Sequence, residues 1–545
     1  MIGAGFAGIR TLHTMLGLGL DVVVLETGDD AGGVWYWNRY PGARCDIQSY
    51  DYSYGFSAEL EQEWRWSEQY ATQPELLSYV AHVIERFGLR EHIRFGTTMK
   101  SADWDEQAKR WTVTTESGDT VTGRYLIMAT GQLSTAKLPS IDGMDDFEGE
   151  TYHTGSWPHT PVDFAGKRVG IIGTGSSGVQ LIPIVAAEAE HLTVFQRTPT
   201  FTVPASNGPV TDEEDAQVKA NYAERRALVR RSPSGLGNVP NRQSALEVSP
   251  AERTAVYEEK YPTAGFGFVL SYYDLLLSQE ANDTAADFLR EKIALKVHDP
   301  ATAAMLTPND YPFGAKRPSV DSQYYETFNR ANVELVDIRS TPLKTVTATG
   351  IETAGREFTF DIIVYATGFD ALTGSLLRPE ITGRGGVTLR EKWAAGPRTL
   401  LGLGTSGFPN LFVIAGPGSP SVLANVLLGI EQHVDWLAAM LRHVEKDGPV
   451  TIEAELNAED KWVEHVNERA GETLYLKAAS WYLGANVPGK PRVFMPYSGG
   501  FRGYDRILGE VAADGYRGFA VTAAIPVPGK QDPHEHDAHE GQETR

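Results

Sequence analysis

Apolar and polar residues change rhythm along this chain, and each change marks an element. Residues 9–18 repeat at helical spacing, and residues 21–25 form an apolar run read as a buried strand. A strand followed by a helix returns at 168–172 and 179–187, with a further strand predicted at 192–195. Between these units, residues 94–122 alternate as antiparallel strands do, most plainly at 111–115. Two other apolar runs, beginning at 125 and 362, end in Ala-Thr-Gly at 129–131 and 366–368. Small residues at a strand end let the chain pass close to another backbone, so these ends mark where it leaves and re-enters its first domain. Residues 212–298 lack alternation and are rich in Ala, Glu, Arg, Lys and Leu, which predicts helices whose charges are mostly a solvated face. In 422–444, Leu423, Val426, Leu427, Ile430, Val434, Leu437 and Leu441 recur at helical spacing, most of them as core.

Glycine triplets precede the first helix of each unit. The first has Gly3, Gly5 and Gly8; the second has Gly173, Gly175 and Gly178, with Thr174, Ser176 and Ser177 between. Glycine lets the backbone approach a pyrophosphate, whose charge then faces a helix N-terminus. A lone triplet is weak evidence. Here a strand follows and ends in Glu26, near where an acid would hold a ribose. The strand of the second unit ends in Gln196, Arg197 and Thr198 instead. An acid would repel a 2′-phosphate, whereas Arg offers it a bidentate partner, so the second turn is read as a site for NADP(H) and not NAD(H).

These units predict an α/β protein with two Rossmann-like dinucleotide-binding domains and a helical insertion in the second. The expected divisions are 1–132 and 371–525 for the first domain, 133–193 and 319–370 for the second, 194–318 for the insertion, and a disordered tail at 526–545. Only Met1 and Ile2 precede Gly3, where about five apolar residues normally feed such a turn. The natural chain is therefore expected to start upstream, and the first sheet to lack its central member.

Composition narrows the function. A length of 545 residues calls for two or three domains. No apolar run reaches about 18 residues, so no membrane span is expected, and the N-terminus lacks the pattern of a secretion signal. The single cysteine, Cys45, fits a reducing cytosol and removes the flavin disulfide reductases, which need a redox pair. A net charge of -22 argues against a nucleic-acid partner and reads as solubility. His534, His536 and His539 in the tail form no preorganised ligand set, so no metal site is expected.

Three further motifs remain. Phe147, Gly149, His153, Trp157 and Pro158 lie between the two glycine turns. Gly32, Gly33, Val34 and Trp35 lead into Tyr40, Pro41, Gly42, Arg44 and Asp46. Lys316 and Arg317 follow Tyr311-Pro-Phe-Gly-Ala and precede Tyr324 and Tyr325. Aromatics beside a turn are more often core than cofactor box, and two basic residues alone would be a loop dipeptide. Taken at their spacing, however, the motifs resemble the fingerprints of type I Baeyer–Villiger monooxygenases, over Gly3 to about Val521.

That family uses FAD, NADPH and O2 to convert ketones to esters or lactones through a C4a-peroxyflavin. The resemblance implies FAD contacts from Gly33, Val34, Trp35, Arg44, Tyr52 and Met99, with Asp46 beside the reacting end of the flavin. It implies that Lys316 reaches the 2′-phosphate, that Arg317 sits over the flavin–nicotinamide contact, and that Trp481, in a mobile loop, closes on NADP. Residues 419–425 would line the substrate pocket. Arg317 and Asp46 are the candidate catalytic pair, because a guanidinium stays charged and can stabilise a peroxide anion and its adduct. Two alternatives stand beside this reading. One is a flavin monooxygenase oxidising amines or sulfides, which by family pattern lacks Trp157 and the Lys-Arg pair. The other is a nucleotide-binding sensor or structural subunit without turnover. The expected partners are a small ketone and O2, with no nucleic acid and no membrane, in the cytoplasm.

Overall fold

A computed structural model describes residues 1–237, 241–446 and 448–523; the tail at 526–545 lies outside them. In the first domain Val24–Leu25 pairs with Ile93–Arg94, and Leu126–Met128 with Leu411–Val413, all parallel. Ile2 joins the two pairs by bridging Leu25 on one side and Met128 on the other. Its N–H meets the Ile127 carbonyl at 2.9 Å, and the Gly3 N–H meets that of Leu25 at 2.8 Å. The expectation of a sheet without a centre is thereby corrected. Two residues hold that place because the strands flanking it pair over only two or three residues.

The second domain has five parallel strands in the order Val333–Asp337, His191–Gln196, Arg168–Ile172, Ile362–Tyr365 and Glu150–His153. The motif around His153 is thus more than a connection. It supplies the edge strand of this sheet, with His153 opposite Tyr365. Each sheet is backed by an antiparallel meander. Met99–Asp105, Arg110–Thr115 and Thr120–Gly123 pack Trp111 and Val113 against Leu126 and Leu411 of the first. Leu343–Thr347, Gly350–Thr353 and Glu357–Thr359 pack Ile351 and Phe358 against Ile172 and Phe195 of the second.

The insertion differs from expectation in two ways. The strand His191–Gln196 runs through the expected boundary at 193/194, so the insertion begins beyond it. Nor does it belong wholly to the second domain. Helices Asp212–Ala220 and Tyr222–Arg231 dock on the first, where Arg225 meets Asp51 at 2.6 Å and Arg226 meets Glu61 at 2.7 Å. Tyr50 donates to Asp215 at 2.9 Å beside them. Helices Pro250–Lys260 and Gln279–Lys296 instead share a core with Val203 and Val320, from the parallel pair Thr202–Pro204 and Ser319–Asp321. The insertion therefore spans both domains, because its arginines find their carboxylates on the first.

Candidate active site

The two glycine turns are built alike. Gly3 and Gly173 take φ of +97° and +113°, which side chains rarely adopt. Gly5 and Gly175 cap the helices Phe6–Gly17 and Ser176–Glu188, with no side chain bonded to the exposed N–H groups and no acid in either first turn. A Cβ on Gly5 would lie 3.2 Å from the Gly33 Cα, so two loops meet there backbone to backbone. In front of Gly175 a Cβ would meet nothing within 4 Å. Free N–H groups at a helix start suit the pyrophosphate of a dinucleotide; both turns offer them, and the second adds open space before Gly175.

Around the first turn, Glu26 is buried and accepts from the Ala4 N–H at 2.6 Å and the Gly28 N–H at 2.8 Å. Burial raises its pKa against those bonds. The Thr97 N–H bonds the Glu26 carbonyl at 2.8 Å, which brings Met99 to the same end of the sheet. Val34 and Trp35 open the short helix Val34–Trp37, and the Trp35 indole donates to Tyr52 at 3.2 Å. Arg44 stands apart from this group. Its guanidinium turns to Glu68 at 3.1 Å, and its backbone is clasped by Gln180 of the second domain. The Tyr40 hydroxyl donates to the same Gln180 at 2.8 Å, so 40–44 is a seam between the domains.

At the second turn the Thr174 hydroxyl donates to the Thr198 carbonyl at 3.2 Å, fixing the loop that carries Arg197. Arg197 is exposed. Lys316 lies over the Tyr311 ring at 4.3 Å. Burial, reinforced by the Arg197 and Arg339 charges, lowers its ammonium to about 8. Arg339 is a third cation that the sequence analysis missed. It follows the strand Val333–Asp337, and only the strand order shows that this strand neighbours His191–Gln196.

Arg317 is where the two halves meet. Its Nε donates to Asp46 Oδ2 at 2.5 Å, its Nη2 to Asp46 Oδ1 at 2.9 Å, and its Nη1 to the Val422 carbonyl at 2.7 Å. The guanidinium lies over the Phe266 ring at 4.2 Å. Burial opposes its charge, yet the Asp46 carboxylate prevails and raises its pKa. Val422 belongs to the 3₁₀ turn Ser421–Leu423, after which Asn425 caps the helix Val426–Val444 through the Leu427 N–H. The long helix thus starts later than expected, and part of its N-terminus is already satisfied.

Trp481 opens the turn Trp481–Leu483, and its neighbour Tyr482 is buried close enough to feel the Arg317 charge. The loop is pinned to the re-entry segment by Lys490 on Asp370 at 2.5 Å and Asn486 on the Phe369 carbonyl at 2.7 Å. Lys137, on the outgoing segment, also donates to the Asn486 carbonyl. His153 holds both segments. Its Nδ1 accepts from the Gly155 N–H at 2.9 Å, and its Nε2 lies 3.3 Å from the Lys137 carbonyl and from the Thr367 hydroxyl. Burial lowers its pKa. Trp157 is buried, with its backbone N–H on the Trp37 carbonyl at 3.3 Å. Among the described residues, no group of three or more His, Cys, Asp or Glu side chains is placed to hold a metal ion.

Known proteins resemble this chain in sequence and in fold. A family model described as pyridine nucleotide-disulphide oxidoreductase matches residues 1–220, although one buried cysteine leaves no thiol pair. A Baeyer-Villiger monooxygenase of Pseudooceanicola batsensis is 42% identical, over 95% of this chain and 94% of its own. An oxidized steroid monooxygenase bound to NADP superposes with a TM-score of 0.92 at 55% identity, over 95% of this chain and 98% of that one. OTEMO in complex with FAD and NADP superposes with a TM-score of 0.92 at 41% identity, over 96% and 98%. Across nearly its whole length, this chain belongs to the Baeyer–Villiger monooxygenase family.

Proposed function

We propose that this chain oxidises ketones to esters or lactones at the junction of its two dinucleotide turns, with Arg317 and Asp46 as the pair that carries the reaction. It is a flavin-dependent Baeyer–Villiger monooxygenase that uses NADPH and O2, and its cofactors are FAD and NADP(H). The flavin supplies the redox and oxygen-activating chemistry, and the protein supplies position and charge. FAD is assigned to the first turn, with Gly3, Gly5, Gly8, Glu26, Gly33, Val34, Trp35, Tyr52 and Met99. NADP(H) is assigned to the second, with Gly173 to Gly178, Arg197, Thr198 and Lys316, and with Trp481 closing over it. Arg44 enters this reading through the domain seam.

The observation that carries the reading is the hold on Arg317. A ketone carbon attacked by an oxygen nucleophile puts negative charge on its own oxygen, and a fixed donor placed for that charge lowers the barrier. Of the five N–H bonds of a guanidinium, three are taken by Asp46 and Val422. Two remain for an oxyanion, in a plane set by Asp46 and Phe266. Asp46 aims the group and keeps it charged. A cytoplasmic location and the absence of a nucleic-acid partner belong to the same reading, supported by the single thiol and the charge of -22. No helix among the described residues is long and apolar enough to cross a membrane.

The test adds NADPH in air with a panel of ketones, amines and sulfides, following flavin absorbance and products by mass spectrometry. Flavin bleaching with ester formation is expected. N-oxide or sulfoxide without ester would transfer the assignment to the amine- or sulfide-oxidising alternative. No bleaching at all would favour a nucleotide sensor.

A further inference from the structure

A buried relay lies behind the loop that meets Arg317. His433, on the helix Val426–Val444, is 1% exposed. Its Nδ1 accepts from the Ala415 N–H at 3.1 Å, and its Nε2 lies 2.6 Å from the Tyr504 hydroxyl. That hydroxyl is 2.5 Å from the Leu401 carbonyl. The direction of each bond follows from the ends. A backbone N–H can only donate, so Nδ1 must hold a lone pair and Nε2 the proton. A carbonyl can only accept, so Tyr504 gives it the hydroxyl proton and receives that of the imidazole. The pattern admits only a neutral histidine, and burial lowers the His433 pKa to about 3.

Both ends of the relay are strained. Ala415 and Leu401 take φ of +53° and +57°, a conformation costly for residues with a Cβ. Strain of this kind persists only where the surroundings over-determine it. For Ala415 the surroundings are His433 on its N–H and the Gln132 amide on its carbonyl, at 2.7 Å. Gln132 lies on the outgoing crossover segment, and its own carbonyl takes the Leu372 N–H, just past the re-entry segment, at 2.8 Å. The turn after Ala415 also abuts Gly402, where a Cβ would lie 2.7 Å from that of Ser419. From Ser419 the chain runs directly to the Val422 carbonyl that holds Arg317.

We propose that His433 is a positioning residue for the oxidation: through the Ala415 N–H it fixes the strained turn that sets the Val422 carbonyl and hence the Arg317 plane. This rests on the assignment of Arg317 above, and one readout below is independent of it. His433→Asn keeps an acceptor near the Nδ1 position, whereas His433→Gln keeps a donor near Nε2 and loses the Ala415 contact. His433→Phe keeps a ring and loses both.

The experiment measures amide hydrogen exchange of the full chain over 413–425, together with ester formed per NADPH and the rate of flavin reduction. In the Gln and Phe variants exchange should quicken and ester yield should fall, each by about tenfold, the scale of one lost hydrogen bond. Reduction by NADPH should stay within about twofold, and His433→Asn should restore both quantities. Equal behaviour of the Asn and Gln variants, or parent-like exchange in the Gln variant, would overturn the positioning role. Faster exchange with unchanged ester yield would keep the anchor and refute the link to Arg317. If the Gln and Phe chains do not fold, Tyr504→Phe removes only the far end of the relay. It should show the same pattern at about threefold, and parent-like exchange and yield there would overturn the proposal.

Discussion

At the first glycine turn a Cβ on Gly8 would lie 1.9 Å from the Gly3 carbonyl oxygen; at the second, one on Gly178 would lie 2.4 Å from that of Gly173. The two turns solve one packing problem in one way. They part at the next strand. Behind the first stands Glu26, buried, with both carboxylate oxygens bonded to backbone N–H groups. Behind the second stands Arg197, exposed, with Lys316 and Arg339 close enough for like charges to depress the Lys316 ammonium. The first arrangement is closed and short-ranged and suits a cofactor that stays. The second gathers three cations, of which Arg339 is paired with Asp310, and suits a nucleotide that arrives, is used and is exchanged.

That contrast can be broken most severely at the glycines. Gly8→Ala should cost FAD affinity by more than about a hundredfold, because the clash is with a backbone atom that cannot move aside. Gly178→Ala should leave flavin content intact and lose NADPH. Flavin and nucleotide content per chain measure both, and equal effects on the two cofactors would erase the division. Arg197→Ala should weaken NADPH by about 10–100-fold, the scale of a charge-assisted bond, and leave NADH nearly unchanged.

These two predictions draw on what the sequence exposes best. Glycine triplets and the residue ending the next strand are local features, and a parallel strand delivers its C-terminal neighbour to the ligand edge. Arg197 and Glu26 could therefore be named before any fold was known, whereas Asp46 and Arg317 could be named only through the family resemblance of their motifs. Arg339 could not, since its place depends on which strand lies beside His191–Gln196. Gln180, which clasps Tyr40 and Arg44, and the pair His433 and Tyr504 join elements distant in sequence, and nothing local marks them. The docking of Tyr222–Arg231 on the first domain was hidden for the same reason: Arg225 and Arg226 read as a solvated face until Asp51 and Glu61 meet them.

A gentler test sharpens the contrast by pH. With its ammonium near 8, Lys316 is charged below that pH and neutral above it. The 2′-phosphate is drawn to the charged form. NADPH affinity should therefore fall between about pH 7 and 9, by at most tenfold per unit, while NADH affinity stays flat. Lys316→Arg should flatten the NADPH profile, because a guanidinium does not titrate there. The smallest effect is expected at His153, which touches neither turn but ties the two crossover segments. His153→Ala should keep FAD and slow its reduction by about threefold, the worth of a modest hydrogen bond, with some loss of ester per NADPH. Unchanged reduction and yield would make this histidine a packing residue.

The two regions meet at the Arg317 guanidinium held by Asp46. The direct measurement is the partition of consumed O2 between ester and hydrogen peroxide, per NADPH, in Arg317→Ala and the parent chain over one ketone panel. Loss of a preorganised donor costs about 10²–10³ in rate. The Arg317→Ala chain is expected to keep FAD, to be still reduced by NADPH, to release its oxygen as hydrogen peroxide, and to make no ester from any ketone. Ester formed at the parent's rate by that variant would contradict the role proposed for Arg317.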